Sequence, residues 1–545
     1  KILGTGKDIS VTSADLKVIF TSGSGTINGT NIEPGWTSGE NTFTVKNESN
    51  GTYKYNIIIK DLVNTFVTEG FLQYKITSTD GGYNMTDYAD VPKSSSARDT
   101  VLAFNISIDK GATHTYKVEI KYLESKDVDQ SADMGKMLSG KIFIEDKFKG
   151  GTLSEAIIYY NPTISTRSDF STAFTTNTAN TLYKATENAT DVYYFAGQDT
   201  ESAPINNWVK FGKTNKNECT YNGSTVLYFN GSSIVSVENE SQCLSSKVCK
   251  LDNEYGVGET VTEDLCTSQG GEWTNQNAKW GTSTHNLYWR IIRTNSDGGV
   301  RLLYHGTSTT ATDVYIGESA FNTNYNSPKY VGYMYGNSDA TPEEARTNTN
   351  DSAIKTYIDN WYASNMTSYT KYLSTTAVYC NDREVGSGTY SAIGSDFFYA
   401  AYTRLDTNKT PTYDCTNNND KFTVDASTGN GKLRYPIALM TADEIAYAGG
   451  LYDQNVPMWY YTNSSLESST GSNDWWSLSP YRWNGSYALS WLVDGSGDSG
   501  SLGANRVDVS FGVRPAVSLK SCVKYSTGNG TSETPYEIVE TSSGC

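Results

Sequence analysis

Histidine is almost missing: three residues in 545, at 114, 285 and 305. None neighbours a nucleophile motif, and no GxSxG, HExxH or P-loop sequence occurs. Triads assembled in space need no such adjacency, so the lack weakens catalysis without excluding it. His114, between Thr113 and Thr115, reads as a surface strand end, and His305, just after a strand, as a polar edge residue. Charge is also scarce, at 19% of residues, and cations are the rarer sign: 43 Lys and Arg against 60 Asp and Glu, a formal −17. Such a surface repels phosphate backbones and anionic lipid, which argues against nucleic-acid binding. No apolar run has transmembrane length, which argues against direct membrane insertion. Eight cysteines contain no Cys-x-x-Cys pair, so an even set of disulfides outside the cytosol fits better than zinc. The chain starts at Lys1 rather than Met, and reads as mature, with a signal peptide removed.

What is abundant is Asn, Ser, Thr, Gly and 40 Tyr, the make-up of a surface meeting a crowded exterior. The length implies two to four domains. From Asp15 to about Asp146 apolar residues alternate, as in Tyr53, Tyr55, Ile57 and Ile59 or Tyr116, Val118, Ile120 and Tyr122. Period two buries one face of each strand, and a β-sandwich is expected over 1–148. A connector follows at 149–190: Thr152 to Glu155 is a capping box opening a short helix, and the Ser/Thr/Asn-rich run to Asn188 reads as extended or loosely ordered.

An α+β domain is expected over 191–522. Its 213–284 segment holds Cys219, Cys243, Cys249 and Cys266 among few apolar residues, an insertion stapled to itself with pairing left open. Asn295 to Gly299 has hairpin turn chemistry between strands at 288–293 and 300–304. Ile354, Tyr357, Ile358 and Trp361 lie at helical spacing, and Thr441 with Glu444 caps a second helix that Gly449 and Gly450 stop. Cys380 and Cys415 bracket one excursion and are expected to bridge; Cys522 and Cys545 would clamp a tail strand within 523–545.

The stretch 475–520 opens on Trp475 and Trp476, closes on Gly512-Val513-Arg514-Pro515, and holds Gly-rich, polar and aromatic segments between. It resembles the C-terminal part of the C-type lectin fold in its formylglycine-generating-enzyme branch, which includes the variable proteins of diversity-generating retroelements. YWRIIRTN at 288–295, KYVGYMYG at 329–336, IKTYIDNWY at 354–362 and TADEIAYAGG at 441–450 are similar to secreted Firmicute proteins. The Arg usual in the opening motif is absent from Ser477-Leu478-Ser479-Pro480, so its role does not transfer. Around Ile32-Glu33-Pro34-Gly35 and Phe43 to Asn47 the chain also resembles camelysin-type fibre subunits. That likeness implies polymerisation by lending a strand, for which the arm 1–10 would serve; a loose terminus is the other reading.

The lectin-type resemblance implies an exposed ligand surface at 481–510, with Tyr481, Arg482, Trp483, Tyr487, Ser490, Asn505, Arg506 and Asp508 as contacts. Tyr, Trp and Arg dominate binding hot spots. Trp475 and Trp476 read as core, Leu502 and Val507 as buried anchors, and Arg514 as a buried residue paired with Asp474 or Asp443. Asp494 and Asp498 have alternate spacing, as calcium ligands do, yet the glycine and glutamate of such loops are missing, so no metal or cofactor is assigned. No thiol pair supports copper-dependent oxidation, and no catalytic residue is assigned. The reading is therefore an extracellular, cell-surface binding protein for a glycan or protein ligand, probing outward from a fibre. The alternatives are a self-assembling filament subunit and, third, an extracellular enzyme.

Overall fold

The structure, a computed structural model, describes residues 9–13, 16–22, 32–145, 151–175, 178–311, 314–455, 457–461, 474–495 and 500–545. Strands dominate, and the described residues form six sheets. Two belong to the first 145 residues. In one, Asn41–Asn47, Thr113–Tyr122 and Leu72–Ser78 are central; in the other, Tyr53–Asn64 lies between Ser94–Ile108 and Leu138–Glu145. The alternation works as period two requires: Phe43 and Val45 from the first sheet meet Tyr55, Ile57 and Ile59 from the second in one buried cluster. Residues 1–8 of the arm lie outside the described residues. Ile9 and Ser10 open the strand Ile9–Ser13, which pairs with Leu16–Ser22 at the sheet's edge.

Alternation alone does not describe Tyr53–Asn64, whose Ile58 is as buried as its neighbours. Ile58 and Val101 point away from the first cluster and join Leu153, Ala156 and Ile157 in a second, larger one. These last three come from the helix Leu153–Tyr160, which carries the expected capping box between Thr152 and Glu155.

Of the two forms expected for the run to Asn188, the described residues take the extended one. Thr163–Thr166 runs parallel to Thr181–Glu187, which pairs with Thr190–Tyr194, and all three belong to a 15-stranded sheet; residues 176–177 are outside the described set. The polar run is recruited because Leu182, Tyr183 and Val192 supply buried faces, and because Glu187 meets a buried arginine described below.

The long strands Trp208–Tyr221 and Lys279–Thr294 run antiparallel and carry the insertion at their far end. Its cysteines pair in sequence order, Cys219 with Cys243 and Cys249 with Cys266, around a small cluster containing Val226, Val248 and Val257. Cys380 pairs with Cys415 and Cys522 with Cys545. Four disulfides are the bonding of an oxidising, extracellular environment, and no described helix is long and apolar enough to cross a membrane.

The large cluster is built on Lys279–Thr294, Val300–Tyr304 and Pro515–Leu519, with the expected hairpin joining the first two. The helix Ala353–Asn365 packs on it through Ile354, Ile358 and Tyr362, with Tyr357 and Trp361 half-buried beside them. Tyr536–Ile538 adds a tail strand parallel to Trp208–Tyr221. A seven-stranded sheet contains Asp396–Tyr399, Trp475–Asn484, Ala488–Val493 and Leu502–Arg506 as consecutive antiparallel neighbours.

Arg514 is buried, as expected, but ion-paired with neither proposed aspartate. Its guanidinium donates to the carbonyls of Tyr304 and Tyr460, while Asp443 pairs with Arg404 and Asp474 accepts from the Gly495 amide. Burial lowers Arg514 to about 9.

Candidate recognition surface

Strand register decides which side chains of the 481–510 segment face out. Phe398, Arg482, Leu489 and Arg506 are partners in one row across four strands, so their side chains share a face. The row below pairs Phe397, Trp483 and Ala488, all almost fully buried, on the opposite face. Trp483 is 2% exposed, so the expectation that it faces solvent is wrong. The ladder shifts register between Pro480 and Arg482. That irregularity turns Tyr481 into an aromatic nest with Phe398, Tyr402, Tyr452 and Trp491, leaving it 8% exposed. Ser490 is fully buried as well, so Tyr481, Trp483 and Ser490 are corrected from contact residues to packing residues.

What remains outside is a narrower rim. Arg482 is clamped by both carboxylate oxygens of Asp396, with Nε to Oδ1 at 2.8 Å, and its guanidinium lies 4.7 Å from the Phe398 ring. Arg506 repeats the arrangement: Nε and Nη2 donate to Asp508 at 2.5 and 2.9 Å, and the guanidinium lies 4.5 Å from the Tyr325 ring and 5.4 Å from that of Tyr487. Tyr487 is 40% exposed and Asn505 half-buried. Each cation is thus neutralised by a bidentate partner and spread flat on an aromatic ring. Such a surface offers planes and fixed hydrogen-bonding edges at no net charge, and little side-chain entropy remains to be lost on contact.

Beneath it, Trp475, Trp476, Leu502 and Val507 are buried, and Trp476 Nε1 donates to the Ser319 carbonyl at 3.0 Å. Sequence reasoning missed Asp396, Phe398 and Tyr325, which reach the rim from elsewhere in the chain and carry no local motif. The Asp494 carboxylate accepts from Ser501 Oγ at 2.9 Å, and Asp498 lies outside the described residues. Among the described residues no three His, Cys, Asp or Glu side chains converge to hold a metal ion.

The histidines differ from expectation too. His114 is buried, its Nδ1 2.9 Å from the Tyr55 hydroxyl, and His305 is 4% exposed rather than an edge residue. His285 Nε2 lies 3.2 Å from Glu218 on the insertion's stem. A separate ionic cluster also went unread. Glu444 Oε1 accepts from Arg293 Nε at 3.0 Å and Arg301 Nη1 at 2.8 Å, while Arg293 Nη2 donates to Glu187 at 2.8 Å. Glu444 keeps its capping role through Oε2, which accepts from the Thr441 amide. No protein-family model matches the chain, and no curated protein matches it.

Proposed function

We propose that this chain is an extracellular, cell-surface binding protein. In this reading a C-type-lectin-like unit presents the rim of Arg482, Tyr487, Asn505, Arg506 and Asp508 to a glycan or protein ligand, without chemistry on it. One observation supports it above the others: two arginines on one half-buried strand row, each clamped by an aspartate and laid on an aromatic ring. Guanidinium and aromatic groups held in advance are what anchors a partner at low entropic cost.

The test is retention of the whole chain on glycan and extracellular-protein arrays, followed by the Tyr487→Ala/Arg506→Ala double variant. The variant should lose at least about tenfold in affinity while stability changes by only about 0.5 kcal/mol. Equal binding by variant and parent would remove the rim from the account.

A second reading is a self-assembling fibre subunit, with the lectin-type part as decoration. It draws on the strand Ile9–Ser13, which among the described residues pairs only with Leu16–Ser22, an arrangement that suits pairing with another chain. Ordered fibres under the electron microscope, lost when residues 1–10 are deleted, would favour this reading.

A further inference from the structure

Apart from the rim, a cleft of about 450 Å³ opens between the loops that follow Tyr194 and Tyr304 and the segment 457–461. Its size falls in the range of small-molecule sites. None of the rim residues lines it.

Its floor is cationic and aromatic. Arg290 is almost fully buried there, its guanidinium 4.0 Å from the Trp208 ring, with Nε donating to Asn207 and Nη2 to Asp199 at 2.7 Å. His305 packs edge-on against Trp208 at 4.4 Å, and its Nδ1 is buried with no hydrogen-bond partner among the described residues. Arg514 lies behind them, donating to the carbonyl of Tyr304, next to His305. Burial, then the charges of Arg514 and Arg290, push the imidazole well below its ordinary range, so His305 is neutral. Two guanidiniums therefore sit around a neutral imidazole, and among the described residues lining the cleft Asp199 is the carboxylate that opposes them, in a chain whose formal charge is −17. A positive pole retained against that background, with a buried polar atom left unmatched, is the electrostatic complement of an anion.

The lip has a different character. Gln198, Thr200, Thr309 and Thr310 supply amide and hydroxyl groups, and Met458 and Trp459 an apolar wall. Hydroxyls that both donate and accept match a polyol.

We infer that this cleft binds a small hydroxylated carboxylate of the uronic or aldonic acid class. Its carboxylate lies toward Arg290 and His305, and its hydroxyls lie along the threonine lip.

Tryptophan fluorescence reads the site directly, because Trp208 and Trp459 line it. Titrating the whole chain with sodium glucuronate should give a saturable change with Kd of roughly millimolar order or tighter. Glucose, which lacks the carboxylate, and acetate, which lacks the hydroxyls, should each bind at least about tenfold more weakly. Asp199→Asn removes the competing carboxylate from a partly exposed position and should tighten glucuronate binding about three- to tenfold. Arg290→Met should abolish it; should that variant fail to fold, the Asp199→Asn shift still decides. No saturable response from either parent or Asp199→Asn would overturn the site. Equal response to glucose would overturn the anionic anchor, and equal response to acetate the polyol lip.

Discussion

Glu187 shows how a single side chain can hold distant parts of this chain together. It sits in a run that reads as polar connector, yet it accepts from buried Arg293 at 2.8 Å and from the Ser296 amide at 2.6 Å. Burial by itself would raise the carboxyl, but the charge and hydrogen bond of Arg293, the charge of Arg301 and the Ser296 amide together outweigh it and hold Glu187 at about 2. A folded value below the ordinary 4.5 means the ionised form favours the native state. That stability is complete above the unfolded value and is lost as pH falls through the folded one. The shift corresponds to about 3 kcal/mol. Glu187→Gln should therefore lower the melting temperature clearly at pH 7, and the gap between variant and parent should close between about pH 4.5 and pH 2. A constant gap across that range, measured by thermal melts in matched buffers, would show that the ion pair does not supply the difference.

At the scale of elements, the insertion is held mainly by covalent links. Its apolar cluster is small, built largely of valines and disulfide sulfur, while Ile234 and Leu244 are exposed. Each disulfide there is worth about 3 kcal/mol, which is large against so small a core. Replacing Cys219, Cys243, Cys249 and Cys266 by serine, with the other two disulfides kept, should leave amide protection in Val300–Tyr304 and Pro515–Leu519 intact while 224–277 exchanges freely, as hydrogen exchange with mass spectrometry would report. Loss of protection in both at once would mean the insertion supports the main sheet. Elements of this kind were legible in the amino-acid sequence because their causes are local: Thr152 reaching Glu155, Thr441 reaching Glu444, and a turn between strands at 295–299. Rim orientation was legible only in part, since one register shift after Pro480 is invisible to alternation and sends Tyr481 inward. Glu187 and Arg293 lie 106 positions apart, so no window of pattern reading joins them.

For the whole molecule the decisive feature is a strand buried on both faces. Ile57 and Ile59 lie in the first cluster and Ile58 in the second, so Tyr53–Asn64 serves two cores at once. The helix Leu153–Tyr160 reinforces the junction. Tyr159 donates to Glu145 at 2.9 Å and receives the Asn56 amide at 3.4 Å, while the Tyr160 ring lies 6.2 Å from Tyr525 and 6.1 Å from Tyr536. Chains of this length commonly melt in separate steps. Here the first 145 residues cannot unfold without baring Ile58, Val101 and the apolar side of that helix, so the two clusters should melt together in one calorimetric transition. Ile58→Asp places a carboxylate among the apolar side chains of Val101, Leu153, Ala156 and Ile157, at a cost of several kcal/mol, and acts on the junction more than on either interior. It should split the transition into two, with the earlier step belonging to the β-rich N-terminal part. Two resolved steps in the unsubstituted chain would instead mean that this strand joins bodies which fold independently, and that the junction positions the rim without stabilising it.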